Sequence, residues 1–261
     1  MANACVESIY YSGQGAILLA DRDVDGKPTG FVPVGNVSSL TISLERTVFE
    51  HKESCSGVRG IDLELVQEFK ASISLVMESL NKDNLALALY GEGEDVAAGS
   101  VVDEPVTAYL GKWSALENIN VTNVAVTNIG GGTTYVEDTD YVLNEAAGSI
   151  MALASGAITE GQGLEVSYDY TAAHLVEAMT SSTPPIKWVR FEGLNTARGN
   201  HPVVVDCYRW SVGPLAELAL INEELSQMTV EGNLLLDTTK STGSQFFRQR
   251  FVTAVAAEDV E

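Results

Sequence analysis

The sequence predicts a mainly β protein: a β-sandwich or barrel with one flanking α-helix and a small β module inserted into it. Three observations carry this. Residues 60–78, "GIDLELVQEFKASISLVME", alternate apolar and polar side chains for longer than any other stretch, with Ile61, Leu63, Leu65, Phe69, Ala71, Ile73, Leu75 and Met77 in phase and only Gln67 interrupting. A period of two belongs to a strand with one dry and one wet face. Only one segment, "SLNKDNLALALYGE", carries a convincing helical pattern. Between about residues 102 and 172 the texture changes to Gly, Thr, Asn and Val, with turn signals at "NIGGG", "NEAAGS" and "TEGQG".

Taken in order, "SSLTISLERTVFE" alternates Leu40, Ile42 and Leu44 against Thr41, Ser43 and Glu45, and pairs naturally with the long strand that follows. In the helix, Asn81 or Ser79 provides the N-cap, Leu85 and Leu89 share a face, and Gly91 ends it. The middle module, 102–172, interrupts a core domain made of 1–101 and 173–261, with Pro105 and "SSTPP" (181–185) marking its borders. Beyond it, "IKWVRFEGL", "PVVVDCYRWSVG" (bulky on both faces) and "LSQMTVEGNLLLD" read as strands. "PLAELALI", opened by Pro214, reads as a weaker helix or turn.

Composition narrows the function. Hydrophobic residues make up 45%, enough for a proper core, and no apolar run is long enough for a transmembrane helix, so no membrane insertion by this chain is expected. The first residues lack a basic start and an apolar stretch, so the expected location is the cytoplasm unless other machinery moves the protein. Cys5, Cys55 and Cys207 are far apart and odd in number, and read as buried or inert thiols in a reducing compartment. A net charge of −21, from 36 acidic and 15 basic residues, lacks the basic footprint of a nucleic-acid binder. Such a charge either keeps the protein dispersed or lets it lie beside a polyanion without holding it.

Catalytic and ligand-binding motifs are weak. "DRDVDG" (21–26) begins like a calcium loop, but its twelfth position falls on Val32 and prolines follow, so it reads as a hairpin turn. "GGG" (130–132) lacks the Lys of a phosphate loop and reads as a turn. His51, His174 and His201 have no companion at metal-ligand spacing, and no carboxylate pair is singled out. No catalytic residue, metal or cofactor is therefore assigned. "EHKESCSG" (50–57), between the two long strands, reads either as an exposed hairpin tip or as a contact arm ordered by a partner.

Several pieces, in order, resemble the major tail tube proteins of long-tailed, non-contractile bacteriophages: "GNVSSLTIS", "EHKESCSG", the long strand running into "NLALALYGE", "EDTDYVLN", "GAITEGQGLEVSYDY", "VRFEGLNTARG", "VVVDCYRWSVGPLAELALI" and "EGNLLLD". The resemblance implies a structural, non-enzymatic subunit of a virion tail, made in the host cytoplasm. Six copies would close into a ring, and rings would stack into a tube that conducts DNA without binding it specifically. Tape-measure, tail terminator and tail tip proteins would be its other partners. It also implies that the wet face of the hairpin lines the lumen, through Thr41, Ser43, Glu45, Asp62, Glu64, Glu68, Lys70, Ser72, Ser74 and Glu78. Phe49, Glu50, His51, Lys52, Glu53 and Ser54 would form a loop reaching the adjacent ring. An acidic lining repels DNA, which carries about one negative charge per 1.7 Å. Lys70 departs from a purely acidic face and is expected to pair with an acidic neighbour across the sheet. The competing readings are the tube protein of a bacterial contractile injection system and a β-sandwich carbohydrate-active enzyme using two carboxylates.

Overall fold

The alternation beginning at Ile61 becomes one strand of 17 residues, hydrogen-bonded to a partner of 16. The computed structural model describes residues 10–55 and 57–252; Cys5 lies outside them. In chain order the elements are β1 (Gly13–Ala20), β2 (Val32–Pro33), β3 (Val37–Lys52), β4 (Ile61–Met77), the helix α1 (Lys82–Ala88) and β5 (Glu92–Val96). Next come β6 (Gly99–Thr107), β7 (Trp113–Ala115), β8 (Val121–Asn128), β9 (Thr134–Tyr135), β10 (Tyr141–Asn144), β11 (Ser149–Ala152), β12 (Gly163–Tyr170) and β13 (Ala173–Glu177). The chain ends with β14 (Ile186–Asn195), β15 (His201–Val212), β16 (Met228–Leu234) and β17 (Phe247–Phe251). The protein is mainly β, with one helix among the described residues.

Two compact units result. The first joins residues 1–92 to 176–261, and the second is Gly93–Leu175. The first is built on one sheet in the order β2-β1-β14-β15-β16-β4-β3, with β17 also paired to β15. Its inward side chains form a single cluster that includes Ile17 and Leu19 of β1, Ile73, Leu75 and Met77 of β4, Trp210 and Val212 of β15, and Met228 and Val230 of β16. Strands near opposite ends of the sheet share that cluster, so the sheet curves around its core. Each such aliphatic side chain contributes about 1.5–3 kcal/mol through burial.

The helix adds Leu85, Leu87 and Ala88 to the core. Asn81 caps it by accepting from the Asn84 amide at 2.8 Å. The buried Asn84 side chain donates to the carbonyls of Val34 and Ser79, both at 2.8 Å, which anchors the helix to the chain before β3. Its end differs from the expectation. Tyr90, not Gly91, takes the left-handed conformation at φ +52°, and the Gly91 amide reaches back to the Ala86 carbonyl at 2.8 Å. Gly91 is required for another reason: a Cβ there would lie 2.0 Å from the Glu177 carbonyl oxygen. Of the two readings of "PLAELALI", helix or turn, the helix does not form and the segment is irregular. The Leu215 amide bonds to the Ala88 carbonyl at 2.7 Å, and Leu215 and Leu218 pack on the core from an irregular segment.

In the second unit a four-stranded sheet, β6-β12-β8-β9, and a three-stranded sheet, β10-β11-β7, share a core that includes Val121, Val126, Tyr141, Ile150, Leu164 and Val166. This unit begins before residue 102 because β6 pairs with β12 from Gly99 onward. Pro105 therefore sits within the edge strand β6 rather than at a border, a position where a missing N–H is tolerated. "SSTPP" lies on the return path between β13 and β14. A loop is pinned by Asp140, whose carboxylate accepts from the amides of Val136 at 2.9 Å and Ala157 at 2.8 Å. Those donors hold its carboxyl below the usual carboxylate range.

Candidate functional site

The pairing register assembles a polar face on the outside of β3, β4 and β16. Directly opposed residues point the same way. Ser43, Ser72 and Asn233 form one row, Thr41, Ser74 and Glu231 the next, and Ser39, Val76 and Thr229 a third. Ser211 of β15 extends the first row through Asn233. The Ser74 hydroxyl donates to Glu231 at 3.3 Å. Glu45 stands opposite Lys70. The ion pair of Lys70, however, is with Glu68 on its own strand at 3.3 Å, not the cross-strand one expected. Just past β4, Glu78 accepts from the side chains of Asn36 and Gln227. Thr41, Ser43, Glu45, Glu68, Lys70, Ser72 and Ser74 are thus brought together. Thr229, Glu231, Asn233 and Ser211 join them from strands read without a role; the alternation of 228–234 was the available signal.

Asp62 and Glu64 do not belong to this face. Thr47 pairs with Glu68 but Val48 pairs with Val66, so Gln67 is an extra residue on β4. Such a β-bulge exchanges the two faces of the strand. The single interruption in the alternation marks this crossing. Beyond it, Leu63 and Leu65 share the outer face with His51 and Phe49, while Glu64 lies with Val66, Phe69, Arg46 and Val48 on the continuation of the core side. The ion pair of Arg46 with Glu64, 3.0 Å, fits only this phase. Asp62 is a second extra residue, between the pairs His51–Leu63 and Lys52–Ile61, and meets His51 at 2.7 Å.

The outer half of the hairpin is an arm. Every residue of β4 from 61 to 70 is exposed, and buried positions begin at Ala71. Strand β16 pairs with β4 only over 71–77, so that half of β4 has β3 on one side and an open edge on the other. Large apolar side chains stand in solvent on both faces: Phe49, Leu63 and Leu65 on one, Leu44, Val66 and Phe69 on the other. At its root an apolar groove of about 390 Å³ runs between Leu44, Phe69 and Ala71 and the pair Phe246 and Phe247. Of the residues expected in a tip loop, Phe49, Glu50, His51 and Lys52 belong to β3, leaving Glu53 and Ser54 in the connection. There the Glu53 amide donates to the Gly60 carbonyl at 2.9 Å, and the Glu53 carboxylate accepts from the Cys55 amide at 2.9 Å.

Among the described residues, no group of three or more His, Cys, Asp or Glu side chains is placed to hold a metal. The "DRDVDG" stretch is a turn in which Asp23 accepts from the amides of Asp25 and Lys27. The three glycines at 130–132 turn the chain from β8 to β9. What this region offers is surface: a Ser/Thr/carboxylate sheet face leading into a two-stranded arm with unpartnered apolar faces.

A family model described as "Protein of unknown function UCP028589" matches residues 10–250. No curated protein matches the chain.

Proposed function

We propose that this chain, which belongs to that family, is the structural subunit of a hollow tube of the phage tail type, built from stacked rings of identical copies. The observation that carries the reading is the arm. An isolated two-stranded ribbon is marginal in water, and exposed apolar side chains in contiguous patches mark interaction surfaces. An open strand edge is likewise a template for pairing. A neighbouring copy in the same or the adjacent ring satisfies all three. The polar face at the root of the arm suits a lumen: Glu45, Glu68, Glu231 and Glu78 against Lys70, among Ser and Thr hydroxyls, repel a passing duplex and give it nothing to hold.

The test is negative-stain electron microscopy of the concentrated protein at low and high salt. Hollow rings or tubes are expected, more abundant at high salt because a charge of −21 per subunit opposes stacking and is screened there. Uniform single subunits under all conditions would overturn the reading.

A further inference from the structure

A second, unrelated pair of surfaces lies on the first unit. On the outside of β14, β15 and β17, Arg190, Asp206 and Arg248 form one row, and Glu192, Val204 and Arg250 the next. The Asp206 carboxylate is 1% exposed and takes all three guanidiniums at 3.0 Å, while Arg190 also holds Glu192 at 2.6 Å. Lys240 caps the same face, 5.0 Å from the rings of both Trp188 and Tyr208. Four cations thus meet two carboxylates, in a chain with only 15 basic residues against 36 acidic ones. The surplus sits on Arg248 and Arg250, whose side chains remain 51% and 53% exposed. Apolar Leu194 and Val204 lie beside them.

The complement is the irregular segment 214–227. It carries Glu217, Glu223 and Glu224 and no basic residue. Leu220, Ile221 and Leu225 stand 84%, 98% and 90% exposed, although Leu215 and Leu218 of the same segment pack on the core. Three nearly naked aliphatic side chains among three carboxylates match a face of surplus arginine flanked by Leu194 and the half-buried Val204. Segment and face start from opposite sides of the sheet within one copy. The segment leaves from the core side of the sheet beside α1, while Arg248 and Arg250 point out of the opposite side, alternating with the core-facing Phe247.

We propose that segment 214–227 of one copy docks on the Arg190/Arg248/Arg250/Lys240 face of a second copy. The two surfaces differ, so the contact is head-to-tail, the kind that closes into a ring or runs into a filament. It identifies the lateral contact within a ring and rests on the tube reading for closure alone.

The test is heterotypic cross-linking. In a Cys5→Ser, Cys55→Ser background, Ile221→Cys and Val204→Cys proteins are mixed and oxidised. Disulfide-linked dimers are expected in the mixture and not in either protein alone. Adding E217K, E223K and E224K to the Ile221→Cys protein should lower the yield about tenfold or more. Arg248 and Arg250 are left intact, because they neutralise Asp206. Absence of dimers in the mixture, or equal yield from the single proteins, overturns the contact. Tubes from a charge-reversed protein overturn it too, while leaving the tube reading standing. Dimers without any rings or tubes would uphold the contact and remove the tube.

Discussion

Glu50 and Glu64 stand directly opposite each other on one face of the β3–β4 arm. Like charges in that position are unfavourable, and Arg46, 3.0 Å from Glu64, offsets only part of the repulsion. A cation from a neighbouring molecule would complete the site. Glu50→Gln should therefore leave the isolated subunit as stable or more stable, by roughly 0.2–1 kcal/mol, while weakening assembly. Chemical denaturation read beside sedimentation velocity checks both halves. A destabilised subunit, or one that assembles as well as the wild type, would contradict this.

The apolar residues of the arm contribute to contacts the single subunit does not make. Leu63→Glu with Leu65→Glu should shift stability by no more than about 0.5 kcal/mol, as for surface sites. Rings and tubes should be lost. A large fall in the melting midpoint would place these side chains in a core instead.

Asp206 is the internal counter-ion of three guanidiniums from two neighbouring strands. Asp206→Asn leaves Arg190 facing a neutral amide and releases Arg248 and Arg250 from β15. The expected loss is roughly 2–3 kcal/mol, below the usual figure for a fully buried pair because two of the arginines can rehydrate. Hydrogen exchange should show β17 opening first. Unchanged protection at 247–251 would mean that the pairing with β15 and the packing of Phe247 hold the strand without the charges.

The thiols differ in kind. Burial, reinforced by the adjacent Asp206 carboxylate, pushes the Cys207 thiol up to about 12. Cys55 is exposed in the tip. With Cys5 replaced by Ser, a thiol reagent at pH 8 should modify one site quickly, and Cys207 only on unfolding. Two fast equivalents in the folded protein would contradict the placement of Cys207.

In the second unit, Asp140 ties acidification to unfolding. Its carboxyl is held below the ordinary 3.8 by two backbone donors. The stabilisation is therefore complete above that value and is lost as the pH falls through the lower, folded-state value. Asp140→Asn should lower the melting midpoint of this unit at pH 7 and flatten its dependence on pH in the acid range. An unchanged acid limb would show that other carboxylates control it, Asp169 first, since Asn123 and Ser100 hold its carboxyl low as well.

Local signals were legible in the sequence: the long alternation of 61–77, a helix cap at Ser79 or Asn81, of which the structure uses Asn81, and the change of texture in the middle of the chain. The bulge was visible as the break at Gln67, but its effect on the faces was not, because a period of two does not say which partner residue is skipped. Without the register, Asp62 and Glu64 look like neighbours of Ser72. "PLAELALI" has the composition of a helix and is too short to be stable as one by itself. The Asp206 cluster draws arginines from positions 190, 248 and 250, and nothing local announces that these converge on one carboxylate.

The chain leaves the first unit through β5 and comes back through β13, and these two strands pair with each other. To the first unit, everything between them is one long hairpin loop, and the entropic cost of closing a loop rises only slowly with its length. That makes the site a genetic socket. A replacement of the intervening sequence whose termini lie as close together is expected to leave the strand pairing of the first unit unchanged.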